Sequence, residues 1–337
     1  MQNLLITGGA GFIGSNFIHH LLETRPSYVI VNLDKLTYAG NLENLEGVAG
    51  NPRYHFVKGD ICDQGLVESI VKQHKIDSIV NFAAESHVDR SILGTAPFIQ
   101  TNFLGTHVLL EVVKDLSVSR FLQVSTDEVY GSAPASSKFT EESLLNPSSP
   151  YAASKASADL LALSYFRTFG TPVVITRCSN NYGPYQFPEK LIPLMISNAV
   201  NDLPLPIYGD GLQIRDWIDV RDHCAALDLV LRSGRLGEIY NISAEDERKN
   251  LSVVRLILKK MGKPESLISF VLDRPGHDRR YAISAAKIKD ELGWSPRTSF
   301  DEGLESTVDW YLRHQSWWES IRSGEYKEYY RRMYEKR

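Results

Sequence analysis

The stretch that decides the fold is NLLITGGAGFIG, residues 3–14, in which a glycine-rich turn follows a short run of β-forming residues. Apolar residues at helical spacing continue through Gly14–Thr24, so the sequence predicts a strand, a glycine turn and a helix in succession. Glycine lets the backbone approach a pyrophosphate closely, and the helix N-terminus supplies unpaired N–H groups and a positive dipole end. This context predicts a dinucleotide-binding turn, with cofactor contacts from Gly8, Gly11, Phe12, Ile13 and Gly14.

An acidic residue follows the turn at the separation expected for a ribose contact. Asp34 comes 20 residues after Gly14, at the end of a second predicted strand, Tyr28–Leu33. A carboxylate there accepts hydrogen bonds from the adenosine ribose and disfavours a 2′-phosphate, which predicts NAD rather than NADP. The adjacent Lys35 could soften that preference. A simpler interpretation is a tight strand–helix turn with an unrelated surface aspartate. It is disfavoured because the glycine turn and Asp34 occur together at the separation expected of a dinucleotide site.

The first half of the chain alternates strands and helices. Further strands are predicted at Tyr54–Lys58, Asp77–Phe82, Arg120–Ser125 and Pro172–Thr176, and further helices at Gly65–His74, Pro97–Leu116 and Tyr151–Phe169. Such alternation forms right-handed βαβ units, so we expect an α/β fold with a Rossmann-type, doubly wound parallel sheet covered on both faces. Asp60 and Ile61 follow the third predicted strand, where we expect a contact with the adenine of the cofactor. The alternative for Asp60 is a cap on the next helix.

The pattern changes after residue 178, where five prolines between positions 184 and 206 divide the chain into short segments. We expect an NAD-binding domain at residues 1–178 and a smaller α/β region at 179–337 that mainly binds substrate, with some segments returning to the first domain. Ser132–Ser149 is the one long predicted loop, typical of a lid or binding loop. Trp310–Arg337 is dense in aromatic and basic residues and predicts a packed amphipathic helix, with a membrane-surface helix as the weaker alternative.

Composition excludes several function classes. The chain has 337 residues and a net charge of −4, so it lacks the basic surplus of a nucleic-acid-binding protein. No stretch approaches the roughly 18 unbroken apolar residues of a membrane helix, and the first residues do not form a signal peptide. Cys62, Cys178 and Cys224 are too few and too scattered for a disulfide framework or a metal cluster. We therefore expect a cytoplasmic, metal-free protein without nucleic-acid or membrane partners.

A tyrosine and a lysine lie one helical turn apart. Tyr151 and Lys155 are four positions apart in a predicted helix, which places the phenol and the ammonium on one face. The ordinary pKa of a phenol is about 10, and a nearby cation stabilises the phenolate. Such a pair is most often a solvated helix face, but after a NAD-binding turn it predicts a base that removes a hydroxyl proton as hydride leaves the same carbon. Ser125 and Thr126 end a strand at the sheet edge, where the threonine hydroxyl can bond the same substrate oxygen.

The glycine turn, Ser125-Thr126 and Tyr151-x-x-x-Lys155 resemble, in order and separation, the extended short-chain dehydrogenase/reductase superfamily. Within it the chain is similar to the nucleotide-sugar 4,6-dehydratases. The resemblance implies NAD that is regenerated in each cycle, a nucleotide-sugar substrate for deoxysugar biosynthesis, and a homodimer built from Pro97–Leu116 and Tyr151–Phe169. It favours dTDP-glucose. UDP-glucose stays open as a substrate, because a pocket that recognises one extra methyl group discriminates between two substrates only about 10- to 200-fold.

Asp127 and Glu128 follow Thr126 directly and select the reaction. Hydride exchange or 4-epimerisation needs only the tyrosine base, whereas loss of water across C5 and C6 of a hexose needs two more proton transfers. Adjacent carboxylates at a strand end are usually a solvated loop, but these follow the substrate threonine. The resemblance implies that Asp127 protonates the departing C6 hydroxyl and Glu128 removes the C5 proton. A nucleotide-sugar 4-epimerase, a decarboxylase and a catalytically inactive NAD-binding scaffold are the rival interpretations.

Further contacts follow along nearly the whole chain. Besides the glycine turn, the expected cofactor contacts are Asp34, Lys35, Leu36, Thr37, Asp60, Ile61, Phe82, Ala83, Ala84, Glu85, Ser86, Thr101, Tyr151, Lys155 and Asn181. The substrate contacts that the resemblance implies are Ser86, Thr126, Asn180, Lys190, Leu191, Pro206, Ile207, Tyr208, Arg215, Asn250, Asp273, Arg274, Pro275, Gly276 and His277. Lys190 and Arg215 suit a diphosphate chemically, whereas Tyr208 could equally be a core residue and His277 a structural histidine.

Overall fold

The structure is a computed structural model that describes residues 2–322 and residue 330. Its main sheet contains β1 (Gln2–Thr7), β2 (Tyr28–Asp34), β3 (Tyr54–Lys58), β4 (Ser78–Asn81), β5 (Arg120–Thr126), β6 (Val173–Cys178) and β10 (Ile239–Ile242). The strand order is β10-β6-β5-β4-β1-β2-β3, and every neighbouring pair is parallel. The order reverses beside β1, as in a dinucleotide-binding sheet. The predicted Rossmann-type α/β fold is confirmed.

The α-helices, in chain order, are α1 (Phe12–Thr24), α2 (Gln64–His74), α3 (Val88–Leu93), α4 (Ala96–Phe98), α5 (Thr106–Asp115), α6 (Pro150–Phe169), α7 (Leu191–Val200), α8 (Val220–Ser233), α9 (Asn250–Met261), α10 (Ala286–Leu292), α11 (Phe300–Arg313) and α12 (Gln315–Ile321). Helices α1 and α8 cover one face of the main sheet and α2, α5 and α6 the other, because successive strand side chains alternate between the faces and both faces are apolar. Leu4 and Ile6 of β1 pack with α1 and α8, whereas Leu5 packs with α2, α5 and α6.

Parallel register brings the carboxyl ends of the strands to one edge of the main sheet. Thr7 at the end of β1 pairs with Leu33 in β2 and with Asn81 at the end of β4. Thr126 at the end of β5 likewise pairs with Cys178 at the end of β6. The turns that leave these strands carry the predicted site residues, so the register alone gathers them in the crevice where open parallel sheets bind ligands.

A smaller region packs beside this edge. It contains β9 (Ile214–Asp219), flanked by β7 (Asn180–Tyr182) and β11 (Glu247–Lys249), and a parallel pair of β8 (Leu205–Tyr208) and β12 (Ile268–Val271). Helices α7, α9 and α11 share a buried apolar cluster there, called the third cluster because the two faces of the main sheet hold the first two. β10 leaves this region and joins the main sheet beside β6. The boundary at residue 178 stays a prediction.

The predicted helix Pro97–Leu116 is not one regular helix. α4 passes into a π-helical turn at Ile99–Gly105, and α5 follows it. Within the turn the Asn102 amide donates to the backbone oxygen of Glu85 at 3.0 Å and to Ser154 Oγ at 2.8 Å, and its oxygen accepts from the backbone N–H of Glu85 at 2.9 Å. A buried asparagine held by three hydrogen bonds fixes the inserted residue. Turns of this kind often occur at functional sites.

The predicted tail helix, Trp310–Arg337, is interrupted where the structure describes it, between Arg313 and Gln315. α11 ends at Arg313 and α12 begins at Gln315, and the buried Trp317 and Trp318 pack into the third cluster. The predicted helical residues 323–329 and 331–337, with Tyr329, Arg331 and Arg332 among them, lie outside the described residues. Within residues 2–322 and residue 330, none of the helices has both the length and the apolar character needed to cross a membrane.

Leu304 and Leu312 lie in the same helix, α11, and test the third cluster as a matched pair. Leu304 is fully buried, whereas Leu312 is 40% exposed. We expect Leu304→Ala to lower the free energy of unfolding by about 2–5 kcal/mol, because it deletes buried carbons and leaves a cavity. Leu312→Ala should change it by about 0.5 kcal/mol or less. Denaturant titration measures both values, and equal losses would contradict the burial of this helix face.

Candidate active site

A cavity follows the carboxyl edge of the main sheet, from the glycine turn to the ends of β5 and β6. Nearly all the predicted cofactor contacts line it: Gly8, Gly11, Phe12, Ile13, Gly14, Asp34, Lys35, Thr37, Asp60, Ile61, Phe82, Ala83, Ala84, Glu85, Ser86, Thr101, Tyr151, Lys155 and Asn181. Leu36 does not line it. Its φ of +57° turns the chain beside Asp34, and its backbone N–H donates to Asp34 at 2.8 Å. The expected contact of Leu36 with the cofactor stays a prediction.

The glycine turn leaves no room for side chains where a dinucleotide would sit. Gly8 has a φ of +69°, and a Cβ there would lie 2.6 Å from the backbone nitrogen of Ala83. A Cβ on Gly14 would press on the carbonyl oxygen of Gly8. The turn therefore closes against its own backbone and opens α1 with free N–H groups. This cradle fits the pyrophosphate of a dinucleotide.

The charges at the adenosine end of the cavity are compensated within the protein. Asp34 is buried and accepts hydrogen bonds from the backbone N–H groups of Ala10 at 2.9 Å and Leu36 at 2.8 Å. Lys35 forms an ion pair with Asp60 at 2.7 Å. This pairing leaves Asp34 as the acidic group at the end of β2, as a ribose contact requires. The cap of α2 is Asp63 rather than Asp60, so the alternative role of Asp60 as a helix cap is wrong.

Tyr151 and Lys155 occupy the first turns of α6. The helix starts at Pro150 because Ser149 caps it, accepting from the backbone N–H of Ala152 at 3.1 Å. Both side chains are buried, and Lys155 Nζ donates to the carbonyl oxygen of Val124 at 2.7 Å. Burial, followed by the charge of Glu128, raises the pKa of Tyr151 well above 10. The expected stabilisation of the phenolate by Lys155 is thus outweighed in this arrangement.

Asp127 and Glu128 lie in a 3₁₀ turn that leaves β5. Thr126 caps the start of the turn: its hydroxyl donates to Asp127 Oδ1 at 3.3 Å and accepts from the backbone N–H of Glu128 at 3.3 Å. Asp127 is buried, and its Oδ2 has no hydrogen-bond partner among the described residues. A buried polar atom of this kind calls for a ligand.

The two carboxyl groups have unequal electrostatic surroundings. Burial, followed by the negative charges of Glu128 and Asp216, raises the pKa of Asp127 well above 3.8. Burial also raises the pKa of Glu128 above 4.5, but the positive charges of Arg274, Lys190 and Arg215 oppose that rise. The neighbouring charges therefore push the two pKa values apart, in the direction that suits an acid at position 127 and a base at position 128.

A group of cations surrounds this turn. Lys190 is fixed by donation from its Nζ to the backbone oxygen of Ser86 at 3.0 Å. Arg274 pairs with Asp89 at 3.1 Å, and Tyr208 donates to the other oxygen of Asp89 at 2.9 Å. Asp89 thus ties α3 of the main domain to the predicted substrate contacts of the smaller region. The positive charges that result are suited to a diphosphate.

Several other predicted substrate contacts present unpaired polar atoms. Asn180 Oδ1, Asn250 Oδ1 and Arg274 Nε are buried without a hydrogen-bond partner among the described residues. Of the predicted substrate set, Ser86, Thr126, Asn180 and Lys190 line the cavity beside the cofactor contacts. The remaining members belong to the smaller region: Leu191, Pro206, Ile207, Tyr208, Arg215, Asn250, Asp273, Arg274, Pro275, Gly276 and His277. Their contact with substrate stays a prediction.

The structure separates the residues whose roles were ambiguous from sequence. Ile207 is buried in the third cluster. Tyr208 combines a hydrogen bond to Asp89 with an edge-on contact to the ring of His277, at 6.0 Å between centroids. His277 pairs with Asp273 at 2.6 Å, and burial lowers its pKa to about 4. A neutral His277 is therefore expected near pH 7, and it orders the wall of the smaller region.

Tyr281 and Glu189 join the site although no local motif marks them. The Tyr281 hydroxyl donates to Asp278 at 2.9 Å and lies 3.5 Å from Glu128 Oε2, while the Arg215 guanidinium stacks 4.1 Å from its ring centroid. Glu189 lines the cavity and pairs with Arg90 at 3.2 Å. For Glu189 the one available signal was its position next to the predicted Lys190, whereas Tyr281 reaches Glu128 only through the tertiary fold.

The fold and the site together define a nucleotide-sugar dehydratase with a dinucleotide-binding sheet. Residues 5–307 match the family model described as GDP-mannose 4,6 dehydratase, and the chain belongs to this family. It is 52% identical over 345 residues to the dTDP-glucose 4,6-dehydratase of Xanthomonas campestris pv. campestris (strain B100), with 97% of this chain and 98% of that protein covered.

Two solved structures show how far the fold is shared. The dTDP-glucose 4,6-dehydratase of Bacillus anthracis str. Ames in complex with NAD is 51% identical, with a TM-score of 0.91 and coverage of 95% of this chain and 100% of that one. The UDP-glucose 4-epimerase of Thermotoga maritima, with UDP-glucose, is 29% identical, with a TM-score of 0.87 and coverage of 93% and 100%. The scaffold is therefore common to dehydratases and epimerases, and the site has to distinguish them.

Gly14 and Gly50 test the cradle as a pair of glycine-to-alanine changes. A Cβ on Gly14 forces the backbone of the turn to shift, whereas a Cβ on the exposed Gly50 meets nothing within 4 Å. We expect Gly14→Ala to weaken NAD binding at least tenfold, which corresponds to about 1.4 kcal/mol. Calorimetric titration with NAD measures the affinity. Unchanged binding in Gly14→Ala would rule out the cradle, and Gly50→Ala should bind as the wild type does.

Proposed function

We propose that the protein is a NAD-dependent dTDP-glucose 4,6-dehydratase, a hydro-lyase that forms dTDP-4-keto-6-deoxy-glucose for deoxysugar biosynthesis of the rhamnose type. The observation that carries the proposal is the pair Asp127 and Glu128, adjacent in the turn after β5, with carboxylates beside Asp127 and three cations beside Glu128. Elimination of water needs an acid and a base side by side, whereas epimerisation needs neither. Similarity to named dTDP-glucose 4,6-dehydratases over 97% of the chain supports the same assignment.

Tyr151 acts first, at the C4 hydroxyl of the glucose. NAD, when bound, accepts the C4 hydride and later returns a hydride to C6. Thr126 bonds the C4 oxygen while Tyr151 takes its proton as the phenolate. Because burial opposes the phenolate, the ammonium of the buried Lys155, one helical turn away, has to supply the positive charge that stabilises it. Lys190 and Arg215 hold the diphosphate, because guanidinium and ammonium groups are the usual partners of phosphate oxygens.

Glu128 and Asp127 then complete the elimination. The ketone at C4 makes the C5 proton acidic, and Glu128 accepts it because the three neighbouring cations favour its ionised form. Burial and the carboxylate neighbours of Asp127 raise its pKa and so favour its protonated form, which donates to the C6 hydroxyl so that it leaves as water. Glu128 returns a proton to C5 when C6 is reduced. Tyr151 then holds the C4 hydroxyl proton and Asp127 has lost one, so a transfer of one proton from Tyr151 to Asp127, directly or through solvent, restores the starting states.

The protein also presents a face suited to a homodimer. Ile99 in the π-helical turn, Leu160 and Phe169 in α6 are 53%, 58% and 56% exposed. The small residues Ala153 and Ser157 are also exposed on α6. We infer that these five side chains share one surface, named here the α5–α6 face after the packed helix pair α5 and α6 beside which the π-helical turn lies. Such surfaces mark protein contacts, and a two-fold contact between two copies would cover it. A cytoplasmic location fits the three free cysteines, and the net charge of −4 fits the absence of a nucleic-acid partner.

The activity is tested with purified protein and no added cofactor, in heavy water, with dTDP-glucose and separately with UDP-glucose. We expect loss of water and deuterium at C5 with dTDP-glucose, detected by mass spectrometry. Equal turnover of UDP-glucose would keep the reaction and withdraw the thymidine preference. Appearance of the galactose isomer without water loss would instead identify an epimerase.

Asp127→Asn isolates the acid in the same assay. The amide has almost the same shape but cannot donate a carboxylic proton, so we expect water loss to fall at least 100-fold. Binding of dTDP-glucose, measured by calorimetric titration, should stay within about threefold of the wild type. Full dehydratase activity in this variant would remove Asp127 from the mechanism.

The α5–α6 face is tested by a charge placed in its centre. Leu160→Glu should convert the dimer to a monomer, because a buried unpaired carboxylate costs several kcal/mol. Leu312→Glu introduces the same charge at an exposed leucine outside this face and should leave the dimer intact. Analytical ultracentrifugation distinguishes the two states. A wild-type protein that sediments only as a monomer would contradict the dimer.

A further inference from the structure

Asp159 continues the line of catalytic side chains along α6. It lies four residues beyond Lys155 and eight beyond Tyr151, so the three share one face of the helix. It is fully buried, and its Oδ2 accepts hydrogen bonds from Ser125 Oγ at 3.0 Å and Arg177 Nε at 2.9 Å. Its other oxygen, Oδ1, has no hydrogen-bond partner among the described residues. A buried carboxylate with one unpaired oxygen is costly unless a nearby charge compensates it.

The contacts of Arg177 extend this group to the opposite side of the site. Arg177 is 2% exposed, and its Nη1 donates to the Tyr130 hydroxyl at 2.9 Å. Tyr130 in turn donates to Asn241 Oδ1 at 2.9 Å. Tyr130 closes the 3₁₀ turn that carries Asp127 and Glu128. A continuous set of buried hydrogen bonds therefore joins α6, which holds the base for C4, to the turn that eliminates water.

Lys155 has few sources of negative charge in its surroundings. Its hydrogen bond is to a neutral carbonyl, Val124 O at 2.7 Å. Burial lowers the pKa of Lys155, and Asp159 followed by Cys178 raises it. Burial raises the pKa of Asp159, and Arg177 and then Lys155 lower it. Each ionised group is thus supported by the others.

We propose that Asp159 is a positioning residue that keeps the Lys155 ammonium protonated and, through Arg177 and Tyr130, fixes the Asp127–Tyr130 turn against α6. The proposal rests on the proposed role of Lys155 beside Tyr151. Asp159 itself touches no reacting atom in this scheme. Its carboxylate is the counter-ion for two buried cations, and without it both would repel each other in a medium that hydrates neither.

The pH dependence follows from the groups that face Lys155. Asp159 on α6 and Cys178 at the end of β6 act on the charge of Lys155, Arg177 of β6 pairs with Asp159, and Asp127 lies in the turn after β5. Cys178 is neutral at working pH, because burial raises its pKa to about 12, and burial also raises the pKa of Asp127 well above 3.8. Burial raises the pKa of Asp159 as well, and its ion pair with Arg177 at 2.9 Å is the contact that favours its ionised form. Removing its charge makes Lys155 lose its proton at lower pH, so the alkaline limb of activity moves down.

Asp159→Asn tests this with minimal change of shape. The rate of dTDP-glucose dehydration is measured from pH 6 to pH 10, with kcat and KM separated. We expect the alkaline limb of kcat to move down by about 1–3 pH units, the range typical of losing one close opposite charge, with KM nearly unchanged. A lower kcat with the alkaline limb in its wild-type position would reduce Asp159 to a structural residue and overturn the proposal.

Two further variants serve as controls. Asp159→Glu retains the charge, and its alkaline limb should return to within about 0.5 pH units of the wild type. Asp290→Asn makes the same chemical change at an exposed position of α10 and should leave the profile unchanged. A shift in Asp290→Asn as large as that in Asp159→Asn would show a general charge effect and overturn the assignment.

A measurement on the wild-type holoenzyme does not depend on how the variants fold. Lysine labelled with carbon-13 at Cε reports the titration of Lys155 by NMR, with the signal assigned by its absence in Lys155→Arg. We expect Lys155 to be protonated at pH 8, and a neutral Lys155 at that pH overturns the proposal. If the wild-type protein does not dehydrate dTDP-glucose at all, the proposed function fails instead, and the two failures are distinguishable.

Discussion

Burial of charge at the carboxyl edge of the main sheet is the constraint on which the rest of the site depends. Asp127, Lys155, Asp159 and Arg177 are all nearly inaccessible to water, and none could stay there ionised without a partner or a shifted pKa. The parallel register places the ends of β5 and β6 side by side, so these groups have to resolve their charges together. The protonation state of each group at this edge is set by its charged neighbours rather than by the solvent. Their proximity is therefore what allows these groups to act as acids and bases.

Sequence patterns of a few consecutive residues correctly predicted the structural features that such short segments determine. The glycine turn, Asp34 and the pair Tyr151 and Lys155 lie where the sequence placed them, because a turn type, a strand end and a helical repeat each involve a few consecutive residues. Periodicity could not predict the π-helical turn at 99–105, since the distant contacts of Asn102 with Glu85 and Ser154 create it. Nor could it predict how β10 returns to the main sheet.

The same limit applies to the chemistry of the site. Spacing predicted that Lys155 and Tyr151 are neighbours, but not that the ammonium would donate to Val124 or that burial would dominate the pKa of the phenol. The acid and base roles of Asp127 and Glu128 depend on cations from the smaller region, more than 60 residues away in sequence. Tyr281 reaches Glu128 from farther still. Such groups converge only through the tertiary fold, so a single sequence carries no direct signal for them.

The π-helical turn has a further consequence for the assembled protein. Thr101 lines the cofactor cavity, while Ile99 and Leu104 of the same seven-residue segment are exposed beside the α5–α6 face. One short piece of backbone therefore touches both the dinucleotide site and the surface proposed to meet a second copy. If binding of the dinucleotide favours one geometry of this segment, it also favours or disfavours association of two copies. Thermodynamic reciprocity requires this coupling to be equal in both directions. Diluting the protein, which separates the proposed dimer, and removing its cofactor would then both shift the geometry of this one segment.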